Sequence, residues 1–336
     1  MNQRAERGAL GVVAVLLAFG AHLALGCSGA RPAASDAVSR PIEDEAAPTD
    51  GDVDTTPALV DTVAVGPGPL SACEEVGALV WLDLPEASGA ARLDAAGDRV
   101  VVVADSGNRG RALILDGANE TAVATTLPVD DGVGDDVEGL ARAPDGRIVG
   151  LTSAGWFREW RLEGDAFAVV RAAYRGTDAA GYSCDGLRVN CAANYEGLCL
   201  DPAPAPDGCA GFAVAKARGE LVCVRAGADG YRIDPTVTIA VSDGNTAHPD
   251  MGPLSGCSVE PDEPHRLIVA GNAFTGSALW EVSGYRDPAT AVVTELPYTG
   301  APNQEAILFV AGHAFASFGD LQTLEPRSPR ASFRCR

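Results

Sequence analysis

From Leu93 onward, short apolar runs alternate with clusters of turn residues. Val100-Val101-Val102-Val103 is apolar at every position, as in a strand covered on both faces. Asp105-Ser106-Gly107-Asn108 follows as a turn, and Arg111-Ala112-Leu113-Ile114-Leu115 predicts the next strand. The alternation continues: Pro144-Asp145-Gly146 turns into the run from Arg147 to Leu151, Ala154-Gly155 into Trp156 to Leu162, and Gly164-Asp165 into Ala166 to Arg171. Short strands separated by Asp-Gly and Gly-Asp turns are the antiparallel hairpin signal. Past the N-terminal apolar run no stretch carries a 3.6-residue period, so the chain reads as all-β. Its first strand is expected around Trp81, in Ala78 to Leu82.

Three stretches echo one another: Asp136-Val137-Glu138-Gly139-Leu140, Asn194-Tyr195-Glu196-Gly197-Leu198 and Asn303-Gln304-Glu305-Ala306-Ile307. Each opens a predicted strand with a glutamate before a small residue, and an element repeated at such distances signals a repeat architecture. The first spacing fits one unit of four strands; the second is about twice as long, leaving room for a missing member at Gly256-Cys257-Ser258-Val259. A further unit begins near Leu93. The expected fold is a five- or six-bladed β-propeller, the sixth blade arising if Val76–Leu84 and the C-terminus complete one between them. A β-sandwich is the rival class, and regular four-strand units argue against it. Tyr174–Ala193, with two cysteines and no clear strand, is expected to be a stapled surface loop.

The first residues change the compartment. Arg4 and Arg7 precede an apolar run from Gly8 to Leu25, and Ala24-Leu25-Gly26-Cys27 resembles a bacterial lipobox, which makes 1–26 a lipoprotein signal peptide and Cys27 the lipidated residue. An uncleaved membrane anchor is the alternative. Ser28 in the sorting position points to the outer membrane. Residues 27–72 are rich in Ala, Pro, Asp and Thr without an aromatic, and read as a flexible tether before a domain spanning 73–336. Setting Cys27 aside leaves Cys73, Cys184, Cys191, Cys199, Cys209, Cys223, Cys257 and Cys335, an even set that reads as disulfides in an exported chain. A Cys73–Cys335 bond would close a ring, and Cys184–Cys191 would clip one loop; the other pairings stay open. A zinc site is the weaker alternative, for want of a Cys-x-x-Cys pair. The net charge of −21 excludes nucleic acid as a partner. The membrane, through the lipid on Cys27, and a small-molecule or protein ligand are the partners expected of a monomer.

If the echo opens the innermost strand of each blade, Glu138, Glu196 and Glu305 converge at one end of the channel. Carboxylates at close range in a dry site raise each other's pKa or require a cation. A hard cation with oxygen ligands, calcium, is the simplest compensation, with Asn194, Asn303, Asp136 and Gln304 as further oxygens. The plain alternative is that each glutamate only starts a strand.

Asp136 to Leu140 followed by Ala143-Pro144-Asp145-Gly146-Arg147 resembles the strand opening of the phytase-like esterase propellers, as do Asn194 to Pro202 and, in degenerate form, Gln304 to Ile307. The resemblance covers roughly 90–320 and implies a calcium-dependent propeller with phosphoester or ester hydrolysis. Ala306 departs from it, as does Thr152-Ser153-Ala154-Gly155, where an acidic residue often ends the next strand. Gly-x-Ser-x-Gly and Walker motifs are absent from the sequence. His248, in the polar stretch Asp243 to Asp250, and Asp136 are the candidate bases of a hydrolase; His313 is expected in a strand. Asp105, Asn108 and Arg109 form a turn that either lines the same face or is only a turn. Two functions follow. One is an envelope lipoprotein whose propeller is a binding or scaffold module with structural calcium. The other is a calcium-dependent phosphoesterase or lactonase-like hydrolase.

Overall fold

The computed structural model describes residues 70–336 apart from 118–120, 131, 207, 243–253, 263–265, 274–275, 299, 301–302, 312 and 322–325. Two short strands, β1 (Cys73–Glu75) and β2 (Val80–Leu82), come first. Four four-stranded antiparallel blades follow. They are β3 (Ala87–Arg92), β4 (Arg99–Ala104), β5 (Arg111–Asp116) and β6 (Thr121–Thr126); then β7 (Val137–Arg142), β8 (Ile148–Thr152), β9 (Trp156–Glu163) and β10 (Ala166–Arg175); then β11 (Tyr195–Leu200), β12 (Gly211–Ala215), β13 (Glu220–Gly227) and β14 (Gly230–Ala240); then β15 (Leu254–Val259), β16 (Arg266–Ala273), β17 (Gly276–Ser283) and β18 (Val292–Glu295). The fifth blade is β19 (Gln304–Ala311), β20 (Ala314–Gly319) and β21 (Ser328–Cys335), with both β1 and β2 paired to β21.

The innermost strands β3, β7, β11, β15 and β19 touch in that order, and β19 returns to β3. The protein is therefore a five-bladed β-propeller. Both chain ends do meet in one blade, as the sequence suggests, but they complete the fifth and leave no sixth. The first blade starts at Ala87, not near Leu93, because its opening strand Ala87-Ser88-Gly89-Ala90-Ala91-Arg92 is made of small residues that carry little apolar signal. Trp81 lies in β2, and three-residue β1 precedes it.

Five apolar clusters fill the five gaps between blades. The run at Val100–Val103 shows why the strands read as continuously apolar. Val100 and Val102 face the fifth blade, while Val101 and Val103 face the second. Each blade is packed on both faces, so the usual in-out alternation is lost.

All eight cysteines after the N-terminal region pair. Cys73–Cys335 closes the ring and Cys184–Cys191 staples the loop between the second and third blades, both as expected. Cys199–Cys257 ties β11 to β15 across neighbouring blades, and Cys209–Cys223 lies within the third. Four such bonds place the chain in an oxidising compartment outside the cytosol.

Candidate functional site at the mouth of the channel

Every innermost strand carries a bulge at the same place. Its register against the second strand slips between Ala87 and Gly89, Val137 and Gly139, Tyr195 and Gly197, Leu254 and Cys257, and Gln304 and Ala306. The bulge re-aims one side chain. The positions so marked are Ser88, Glu138, Glu196, Ser255 and Glu305. The glycine that follows is required by packing: a Cβ on Gly139 would lie 2.4 Å from the Leu198 amide nitrogen, and one on Gly197 3.1 Å from the Gly256 Cα. The fifth blade admits Ala306, whose methyl group joins the apolar cluster with Ala87 and Ala90 of the first.

A second tier comes from the ends of the second strands. The Asp105, Ser153, Lys216 and Asp320 amides donate to the carbonyls of Glu86, Asp136, Asn194 and Asn303, at 2.8, 3.3, 3.0 and 2.9 Å. Asn272, near the end of β16, holds the corresponding place in the fourth blade. Asn194 and Asn303 adopt positive φ, of 50° and 56°, which asparagine tolerates better than most residues.

These tiers bring Asp136, Glu138, Glu196 and Glu305 into electrostatic contact, with Asp105 and Asp320 added. Asp105, Asp136 and Glu138 each offer an oxygen within 4.8 Å of the others. Asp136 and Glu138 are buried, while Asp105 is half-exposed. The Asp136 carboxylate accepts the Ser153 hydroxyl proton, and the Asn190 amide donates to the same hydroxyl at 3.0 Å. Opposite them Lys216, the chain's single lysine, sits 3.0 Å from Glu196 Oε1. Asn194 Nδ2 donates to that oxygen at 2.8 Å, and Asn272 Nδ2 donates to Glu305. Asn303 Nδ2 is engaged with the Asp320 carbonyl.

Burial, then the neighbouring charges of Glu196, Asp105, Asp136 and Glu305, hold the Glu138 carboxyl well above the usual carboxylate range. Burial lifts Asp136 to about 6 against the opposing Ser153 hydrogen bond. It lifts Glu196 to about 7 and Glu305 to about 8, even though Lys216 pulls both down. Burial alone would lower the Lys216 pKa, but Glu196, Glu305 and Glu138 together raise it. The mouth thus holds more negative charge than one lysine offsets. Two buried oxygens, Asn194 Oδ1 and Ser255 Oγ, find no hydrogen-bond partner.

Sequence reading brought the echoed glutamates together but missed Lys216, Asp320, Asn272, Ser88 and Ser255, and left Asp105 as either turn or site. It is both: Asn108 Nδ2 closes the turn on the Asp105 carbonyl at 3.0 Å. Arg109 is held there through its amide, which donates to Asp135 at 2.6 Å. The signal for the second tier lay in the residue ending each second strand, visible only once the five units are aligned. His248, Cys27, the signal segment and most of 27–72 lie outside the described residues. His313 is in the turn between β19 and β20, not in a strand. That is the other end of the propeller, where it pairs with buried Glu260 at 3.0 Å and Arg266 at 2.8 Å.

No family model matches the chain, and no curated protein matches it in sequence. Solved structures similar in shape include three propeller-sized proteins. The PQQ-bound aldose sugar dehydrogenase of Streptomyces coelicolor is 13% identical, with 78% of this chain and 100% of that one covered and a TM-score of 0.46. The calcium-binding regucalcin of Agrobacterium tumefaciens is 10% identical, with 76% and 95% covered and a TM-score of 0.41. A glucose dehydrogenase-type oxidoreductase of Thermus thermophilus is 13% identical, with 77% and 99% covered and a TM-score of 0.40.

Proposed function

We propose that this is an exported lipoprotein, anchored through Cys27, whose propeller is a binding module with one calcium ion at the acidic mouth of its channel. The observation that carries the reading is the convergence of Asp105, Asp136 and Glu138 oxygens within 4.8 Å of one another. The donor set is all oxygen, which suits a hard cation, and the orphaned Asn194 Oδ1 supplies a further oxygen beside Glu196. Glu138 is the central ligand, with Asp136 and Asp105. Glu196 and Glu305 act mainly through their charge, because Lys216 and Asn272 already engage them.

A second reading is a calcium-dependent phosphoesterase or lactonase-like hydrolase, as the resemblance to phytase-like propellers implies. The half-exposed Asp105 favours it, since one side of the cluster faces solvent and could admit a substrate. Bound calcium would supply Lewis-acid polarisation of a phosphoryl or carbonyl oxygen. Asp136 would then hold the proton-accepting position beside Ser153.

Calorimetric titration of the metal-stripped full chain tests the first reading. One calcium ion is expected per chain, with binding abolished in Asp136→Asn and weakened in Glu196→Gln. Silence at millimolar calcium removes both readings. Calcium-dependent turnover of a phosphomonoester or a lactone by the loaded protein would favour the second.

A further inference from the structure

At the channel's second mouth two of the innermost strands carry arginines. Four residues beyond the bulge, β3 and β7 end on Arg92 and Arg142, where β11, β15 and β19 carry Leu200, Val259 and Phe309. All innermost strands run the same way through the ring, so the two arginines stand roughly 13 Å along the axis from the glutamates, at about 3.3 Å per residue. They line a small cavity with Ser258, Leu200, Val259 and Leu308.

Both arginines are incompletely satisfied. Arg92 NH1 and Arg142 Nε are buried nitrogens with no hydrogen-bond partner. Burial, then the like charge of Arg142, lowers the Arg92 pKa, while Asp262 and Asp94 oppose that effect. Asp94 is committed elsewhere, accepting the Gly97, Asp98 and Arg99 amides at 2.6, 3.1 and 3.0 Å. Ser258 Oγ accepts the Phe309 amide at 2.9 Å and keeps its own proton to donate. Buried guanidinium N–H groups left unpaired beside a second guanidinium are costly, and an anion shared between them satisfies both.

We infer that Arg92 and Arg142 form a binding site for a small tetrahedral oxyanion, phosphate or sulfate, at the channel end opposite the carboxylates. Planar guanidinium forks match two oxygens of such an ion at once, and the small size of the cavity suits a compact ion. The surrounding protein, at −21, repels anions in general, so saturable anion binding would report this site and not bulk charge.

The test is calorimetric titration of inorganic phosphate and sulfate into the metal-stripped full chain, with acetate and chloride at matched ionic strength. Phosphate and sulfate are expected to saturate at one per chain. Arg92→Gln and Arg142→Gln should each weaken them by about tenfold or more. In phosphate-free buffer both variants should melt no lower than wild type, since each removes a like-charge contact; this separates lost binding from lost folding. If a glutamine variant fails to fold, Arg142→Lys serves, keeping the charge and losing the fork. Heats that do not saturate, equal responses to acetate or chloride, or unchanged binding in the variants overturn the proposal. Calcium binding at the acidic mouth is measured separately and is unaffected by either result.

Discussion

At the scale of single residues, the acidic mouth is governed by proton occupancy. In the metal-free fold Asp136, Glu196 and Glu305 titrate at about 6, 7 and 8, whereas the unfolded chain releases the same protons near 4. Between those values the folded state binds more protons, so its stability falls as pH rises from about 5 to 8. Thermal melts of the metal-free protein should drop by roughly 5 °C or more across that window, and calcium should flatten the slope by replacing the protons. Lys216 opposes the same charge. Lys216→Met is expected to cost about 3 kcal/mol at pH 8, because it leaves Glu196 buried without its partner, and to cost less at pH 5, where Glu196 is neutral. Urea unfolding at the two pH values measures the difference. The same variant should bind calcium more tightly.

At the scale of the strand, the repeated motif has two parts with separate causes. The bulged residue is free to vary in chemistry, and it does: serine, glutamate, glutamate, serine and glutamate around the ring. The next position is restricted, because the neighbouring blade lies against it: it is glycine in four blades and alanine in the fifth. Gly139→Ala would drive a methyl group into the Leu198 amide and should cost about 1–3 kcal/mol, read from the denaturant midpoint. This division explains how much could be read from the chain. The glutamate echoes gave away three innermost strands, and the long gap gave away a fourth. The first blade's Ser88-Gly89 has no signature, being a serine between alanines, and the expected fourth member, Gly256 to Val259, holds the packed glycine but omits the bulged Ser255 before it. Asp105 and Lys216 belong to the site through cross-strand pairing, which local pattern does not encode. The Cys199–Cys257 bond was equally hidden, since it joins two neighbouring blades.

At the scale of the whole molecule, stability depends on keeping the ring closed, and the closing blade is assembled from both ends of the chain. The Cys73–Cys335 bond spans 262 residues. On the chain-entropy account, losing it should cost about 5.5 kcal/mol, against about 2 for the Cys184–Cys191 clip with its separation of 7. Paired Cys→Ser variants compared by denaturant unfolding should show that order, and equal losses would mean the ring holds without its clasp. The innermost strands also differ in charge along their length, with carboxylates at the bulge and arginines four residues beyond it in the first two blades.

The clasp also determines how the molecule bears tension. The chain just before Cys73 is anchored by Leu70, buried between the fourth and fifth blades, Cys73 is bonded to Cys335, and β1 itself is only three residues long. A pull on that chain first loads the outlying hydrogen bonds, from the Leu70 amide to Glu281 and from the Ser71 amide to the Arg336 carbonyl, each 2.7 Å. Once they part, the force passes through a sulfur–sulfur bond into β21, the neighbouring strand of the fifth blade, and does not peel β1 away one hydrogen bond at a time. Oxidised protein should hold its five blades under a drag that unzips the reduced form from its leading edge.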